Sequence, residues 1–221
     1  MDTLESGIVS ALPQAERKAE YDRIARAYDA IVGNGFYNRV VWGCRKSDYE
    51  RAARDLLART PAPQQLIDFG CGSLVFTADA YRDHVERLTL FDRSLGMLER
   101  GKARLPQGSF VQGDALHPPF AARSFAGGMS WGMIHIFGSA SDYLGRLADL
   151  LAPKAPVATS SLVLSDRRIG NRMLAALHRR GEAAAPEDRA TVERHFSRHF
   201  ALEKSSLVGN MLFLSGRRHP G

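Results

Sequence analysis

The sequence predicts an α/β fold built on an open, mostly parallel sheet. Three observations predict it. Leu66-Ile67-Asp68-Phe69 is an apolar strand that runs straight into the turn Gly70-Cys71-Gly72. Leu88-Thr89-Leu90-Phe91 is a second apolar strand ending on Asp92, about twenty residues after that turn. Ser109-Phe110-Val111-Gln112 is a third, running into Gly113-Asp114-Ala115. Each strand has an aspartate at or just past its carboxyl end, the edge where open parallel sheets bind ligands.

The remaining elements follow in order. Residues 1–13 read as a mobile tail, without the basic-then-apolar signature of a signal peptide. From about Gln14 the pattern is helical, and Tyr21, Ile24, Tyr28 and Ile31 share one face. Gly33-Asn34-Gly35 breaks it. Phe36, Tyr37, Val40, Val41 and Trp42 form a dense apolar patch, readable as core, as a wall for an apolar ligand or as a membrane-surface contact. Ser47 with Glu50 predicts a capping box for a helix reaching about Arg59. After the glycine turn a helix starts near Leu74, with Val75, Phe76, Ala78 and Tyr81 apolar. Ser94 starts another, through about Arg104, with Met97 and Leu98 inward.

Phe125 to Trp131 reads as a fourth strand, in which Gly127-Gly128 allows close packing. A helix carrying Asp142 to Leu150 follows, and Pro153 terminates it. Ala155 to Leu164 is a fifth strand. Two helices come next, the first with Ile169, Met173 and Leu177 and the second reaching about Arg198. Phe200–Val208, Gly209-Asn210 and Met211–Ser215 make a hairpin. With 221 residues, no repeat and no dividing linker, the chain reads as one domain.

Composition excludes several classes. No stretch is long and apolar enough to cross a bilayer. Cys44 and Cys71 make neither a disulfide framework nor a metal site, so no metal is expected. A cytoplasmic location follows as the default. The formal charge of +6 raises nucleic acid or an anionic membrane as partners. The bases are spread along the chain, in pairs such as Arg167-Arg168 and Arg179-Arg180, and read as solvated surface.

Strand, glycine turn and helix open a nucleotide-binding unit. Asp92 lies where a carboxylate can reach ribose hydroxyls. A dinucleotide fingerprint would need a third glycine where Val75 stands.

At these residues the chain resembles the class I S-adenosylmethionine-dependent methyltransferases. Leu66-Ile67-Asp68-Phe69-Gly70-Cys71-Gly72 resembles their first motif. Phe91-Asp92-Arg93-Ser94 with Met97-Leu98 resembles their second, and Gly113-Asp114-Ala115 their third. Tyr21 to Ala25 and Tyr28-Asp29 are similar to the N-terminal stretch of ubiquinone/menaquinone C-methylase-like members. One departure is Leu74, where the family pattern carries glycine and where the pocket floor would be reshaped.

The resemblance implies a Rossmann-like, seven-stranded, mostly parallel sheet with helices on both faces and the last strand antiparallel. It implies an N-terminal helical cap over residues 1–60 and a core over 61–221. S-adenosylmethionine is the implied cofactor. Its implied contacts are Tyr28, Asp68, Gly70, Cys71, Gly72, Asp92, Arg93, Met97, Asp114, Ala115, Ser130 and Trp131. Ser130 to His135 would border the transferred methyl group. His135, with an unperturbed pKa near 6.5, is the candidate general base. Nucleic-acid amino methyltransferases of this fold often carry an Asn- or Asp-Pro-Pro-aromatic motif where this chain has Ser130-Trp131-Gly132-Met133. A small-molecule acceptor fits better, such as a quinone precursor, phenol, amine or lipid headgroup. A cofactor-binding regulatory or partner subunit is the alternative of another class. Peripheral membrane contact and a monomeric or homodimeric state stay open.

Overall fold

The computed structural model describes residues 1–17, 29 and 31–220. Its described strands are β1 (Asp2–Thr3), β2 (Val9–Ser10), β3 (Leu66–Phe69), β4 (Leu88–Asp92), β5 (Ser109–Gln112), β6 (Gly127–Ser130), β7 (Pro156–Leu162), β8 (Phe200–Val208) and β9 (Met211–Arg218). They form one sheet in the order β1-β2-β5-β4-β3-β6-β7-β9-β8. From β2 to β7 all neighbours are parallel. The last strand, β9, runs antiparallel to both β7 and β8, as the sequence predicts. The longer helices are α1 (Lys46–Arg59), α3 (Leu95–Arg104), α4 (Ala140–Leu150), α5 (Arg168–Arg179) and α6 (Arg189–Ser197), and a single turn, α2, covers Ala78–Tyr81.

The N-terminal residues differ from the expected tail. Val9 and Ser10 extend the sheet beyond β5, and the Ser10 hydroxyl donates to Gln112 Oε1 at 2.9 Å. Two short strands thereby join the expected seven. The cap of α1 also differs: the Asp48 carboxylate accepts from Arg45 N at 2.8 Å, in place of the Ser47/Glu50 pair. The helix expected from Leu74 shrinks to α2 followed by a tighter turn over Arg82–Arg87. Tyr21, Ile24 and Tyr28 of the expected N-terminal face lie outside the described residues.

Strand alternation sorts the core into two layers. Ile67 and Phe69 pack with Tyr143, Leu147, Phe196 and Phe200 on the face of α4 and α6. Leu66 packs with Leu56, Tyr81, Leu98 and Phe110 on the opposite face. Asp68 alternates with Leu66 onto that second face. The order reverses at β3: the chain steps outward through β4 and β5, then returns to place β6 on the other side of β3. Ligands of such sheets bind in the crevice at this reversal, outside the carboxyl ends of the strands.

Candidate functional site

Two loops flank that crevice. The loop after β3 is built on positive φ angles at Gly70 (81°), Gly72 (55°) and Leu74 (59°). Gly70 N and Cys71 N both donate to Phe91 O, at 2.8 and 2.9 Å. A Cβ on Gly72 would meet nothing within 4 Å, so open space lies beside its backbone. The loop after β6 turns at Gly132 (φ 67°), which also faces open space. The Met133 side chain from this loop lies against Gly70, 2.6 Å from where a Cβ would stand.

Asp92, at the end of β4, organises one side of the crevice. Its Oδ2 accepts from Gly72 N at 2.8 Å and its Oδ1 from Ser94 N at 2.9 Å. Its backbone carbonyl accepts from Gly113 N at 3.1 Å. One residue therefore fixes the loops after β3 and β5 and the start of α3. Arg93 is exposed, and Met97 is buried under the first turn of α3. Asp114 is tied into its own turn, accepting from Leu116 N at 3.0 Å and facing His117 Nδ1 at 3.3 Å. Desolvation opposes its charge, but the Leu116 N–H and His117 outweigh it and keep its pKa low. Ala115 packs against the first core layer.

Asp68 is fully buried and is reached through a relay. Trp131 Nε1 donates to Tyr81 Oη at 2.8 Å, and Tyr81 Oη donates to Asp68 Oδ2 at 2.8 Å. Asp68 Oδ1 has no hydrogen-bond partner among the described residues. Burial, with Asp92 nearby, raises the Asp68 pKa to about 7 despite the Tyr81 bond. The relay joins the end of β3 to the end of β6 through α2. Ser130 is buried with its hydroxyl 2.7 Å from Tyr143 Oη, which donates to Phe69 O at 2.7 Å. Its side chain thus serves the core, while its backbone stays at the sheet edge. Burial raises the Cys71 thiol well above its ordinary pKa, so it is a neutral filler of the turn.

His135 sits on a helical turn beyond Met133. Its Nδ1 accepts from Leu162 N at 3.2 Å, which leaves the ring hydrogen on Nε2. Burial lowers its pKa to about 4. At neutral pH the ring is an uncharged donor whose one lone pair is already engaged. It lines a cavity of about 190 Å³ with Phe137, Ser139, Leu162, Glu187 and His195. His195 Nε2 lies 3.1 Å from Glu187 Oε1, and its buried Nδ1 has no partner among the described residues.

Sequence reading missed Asp29. It is 5% exposed, and its Oδ2 accepts from Arg100 Nε and Arg104 Nη2, each at 2.6 Å. The Ser73 hydroxyl donates to its Oδ1. Arg104 Nη1 also donates to Ser73 O at 2.8 Å. Desolvation opposes the charge, yet Ser73 and the two arginines hold the carboxyl below its usual range. This clamp ties Asp29 to the glycine loop and to α3. The available signal was the i, i+4 spacing of Arg100 and Arg104. Tyr28, its neighbour, lies outside the described residues.

Comparisons with known proteins agree with this geometry. The family described as "Methyltransferase domain" matches residues 66–154. A demethylmenaquinone methyltransferase of Beutenbergia cavernae is 34% identical over 105 residues, 48% of this chain and 40% of that protein. Its Thermotoga maritima counterpart is 31% identical over 107 residues, 48% of this chain and 43% of that protein. The chain thus spans less than half the length of these curated relatives. Among solved structures, the methyltransferase in complex with the Haloferax volcanii Trm112 methyltransferase activator gives a TM-score of 0.69 at 16% identity, covering 91% of this chain and 99% of that one. The geranyl diphosphate C-methyltransferase of Streptomyces coelicolor A3(2) gives 0.65 at 12% identity, covering 95% and 90%. These two share the fold.

Proposed function

We propose, on the premise that this chain belongs to the class I S-adenosylmethionine-dependent methyltransferases, that it methylates a small molecule held in the cavity beside His135. The observation that carries the reading is Asp92, whose carboxylate and carbonyl together order the loops after β3 and β5 at the sheet's reversal. The bound cofactor would supply an electrophilic methyl group on its sulfonium. This chain's residues supply position and enclosure. Asp92 accepts the ribose hydroxyls, and the open backbone at Gly72 and Gly132 gives close approach. Gly70, Cys71, Arg93, Met97, Asp114 and Ala115 complete the cofactor wall. Asp68 and Trp131 brace it through Tyr81, and Ser130 contributes backbone. Tyr28 covers the amino acid end from the cap.

His135 in this reading orients the acceptor through its Nε2–H and does not remove a proton from it. The acceptor is then a group already nucleophilic at neutral pH, or one that loses its proton to solvent. The demethylmenaquinone methyltransferase relatives favour an acceptor of the quinone-precursor kind. The Ser130 to Met133 sequence lacks the Pro-Pro-aromatic motif and speaks against a nucleic-acid acceptor. A cytoplasmic location belongs to the same proposal.

Titration calorimetry tests it. The chain should bind S-adenosylmethionine and S-adenosylhomocysteine, and neither NAD nor ATP comparably. Asp92→Ala should weaken that binding about ten- to a hundredfold, the scale of hydrogen bonds to a charged group. Asp92→Asn should do nearly as badly, because both oxygens face backbone N–H groups and an amide keeps only one acceptor. Tight NAD binding without S-adenosylmethionine binding would overturn the assignment. S-adenosylhomocysteine release against a panel of quinone precursors, phenols and amines identifies the acceptor.

A further inference from the structure

Ile31, Phe36, Val40 and Ile169 are large apolar side chains standing in solvent, at 51, 78, 40 and 55% exposure. Phe36 and Val40 are four residues apart on the helical turns spanning 35–42 and share a face. Asn34 N donates to Ile31 O at 3.1 Å, which folds Ile31 back beside that turn. Arg167 Nη2 donates to Val40 O at 2.7 Å, which brings α5 and Ile169 alongside. Val41 and Trp42 already fill the inward side, packed with Leu174 and Leu177 of α5. The outward residues therefore cover no core among the described residues.

Charge gathers at the same place. Residues 31–45 and 165–181 contain seven arginines and one acid, Asp166, a net +6. That equals the formal charge of the whole chain, so the rest of the molecule is neutral overall. The arginines read as scattered in the sequence are collected by the packing of α5 on residues 38–42. On α5, Gly170 and Leu174 face inward, and Arg168, Arg172 and Arg179 fall on the exposed stripe. Apolar side chains beside arginines with long apolar stems suit the boundary between headgroups and acyl chains.

We propose that this face is a peripheral docking surface for an anionic lipid bilayer. A second copy of the chain would oppose one strongly positive face with another, which like-charge repulsion disfavours. Nucleic acid would satisfy the arginines and leave Phe36 and Ile169 without a role. A bilayer with acidic headgroups satisfies both.

Vesicle flotation tests the proposal without cofactor or acceptor. The chain should float with phosphatidylcholine vesicles containing about one third phosphatidylglycerol, and not with phosphatidylcholine alone. Raising salt from about 0.1 to 0.5 M should release most of it. Arg168→Gln with Arg172→Gln should weaken binding roughly 25-fold, about fivefold per arginine. Phe36→Ser with Ile169→Ser should weaken it about tenfold or more at low salt. All four positions are exposed, and unchanged melting temperatures confirm that the variants fold. No flotation of the unaltered chain, or flotation indifferent to both double variants, overturns the proposal. So does salt-sensitive binding to an oligonucleotide with no binding to vesicles, or a dimer that Phe36→Ser dissociates. Cofactor calorimetry on the same variants reports separately on the transferase reading.

Discussion

The loops after β3 and β6 face one another across the same crevice and are held with different shares of backbone and side-chain bonds. The loop after β3 hangs mainly on the backbone of a neighbouring strand: Phe91 O takes two of its N–H groups, and the Asp92 carboxylate adds a third. The loop after β6 is held largely by side chains from distant parts of the chain. Gly132 N reaches Ser160 Oγ at 2.9 Å and also Ser160 O at 3.1 Å, Trp131 reaches Tyr81, and the His135 ring takes the Leu162 N–H. A loop held by backbone partners keeps its shape when side chains change, and so can present constant geometry to a constant cofactor. A loop held by side chains can be re-formed by substitution, which suits the side of a site that must fit a particular acceptor.

The largest expected effect lies where the two loops join. Asp68 belongs to the first loop's strand and Trp131 to the second loop, with Tyr81 between them. The folded-state pKa of Asp68 is about 7, above the 3.8 of the free group. Between these values the unfolded chain has lost the proton and the native chain keeps it. Stability from this group is therefore full below pH 4, falls as pH rises toward 7, and levels off above. The loss is on the order of 4 kcal/mol, at about 1.36 per pKa unit. Asp68→Asn should remove that slope and make the protein relatively more stable at pH 8 than at pH 5. Urea denaturation of both chains at the two pH values measures it. Parallel slopes would mean that the native aspartate is ionised and that the joint between the loops is looser than drawn.

A smaller effect should come from the cap. Asp29→Asn removes the ion pairs that hold Asp29 to Arg100 and Arg104 beside Ser73. Severing a buried pair costs about 3–5 kcal/mol, and two arginines that still reach water bring this to roughly 2–3. Because its pKa is lowered, this stabilisation is present above pH 4 and disappears as pH falls through the folded value. The clamp lands on the backbone-held loop alone. Its loss should therefore weaken cofactor binding and leave the loop after β6 unchanged, which hydrogen exchange at both loops would show.

The same contrast explains what could be read from the sequence. The places of Asp68, Asp92 and Asp114 at the carboxyl ends of β3, β4 and β5 were legible because each sits at a fixed distance from a glycine, and strand pairing does the rest. The order of β3 to β9 was legible for the same reason. The partners of Ser130 and His135 were not, because Tyr143 on α4 and Leu162 on β7 meet them only when separate elements pack together. Asp29 was invisible because its partners, Arg100 and Arg104, lie more than 70 residues away. The N-terminal strands escaped because two residues carry no periodicity; their pairing depends on Gln112, far along the chain. The charged face was missed for a related reason, since counting arginines along the chain says nothing about which segments pack together.

The smallest effect concerns the one position where the backbone-held loop departs from the family pattern. Leu74 takes a left-handed φ of 59° that glycine accepts freely and leucine does not, at about 1–2 kcal/mol. Its side chain is 2% exposed and lies on α3, with Cγ 3.5 Å from where a Cβ on Gly101 would stand. Burial of a leucine, roughly 1.5–3 kcal/mol, offsets that strain. Leu74 therefore replaces conformational ease with packing and leaves the loop path intact. Alanine would keep the strain and lose the packing, whereas glycine would lose the packing and relieve the strain. Leu74→Ala should then be the less stable variant, by about 1 kcal/mol, reversing the usual order of alanine and glycine. Cofactor affinity should match the unaltered chain in both once each is folded. If Leu74→Gly instead tightens cofactor binding severalfold, the leucine side chain reshapes the pocket floor, and the loop after β3 is not the constant element that its backbone bonds suggest.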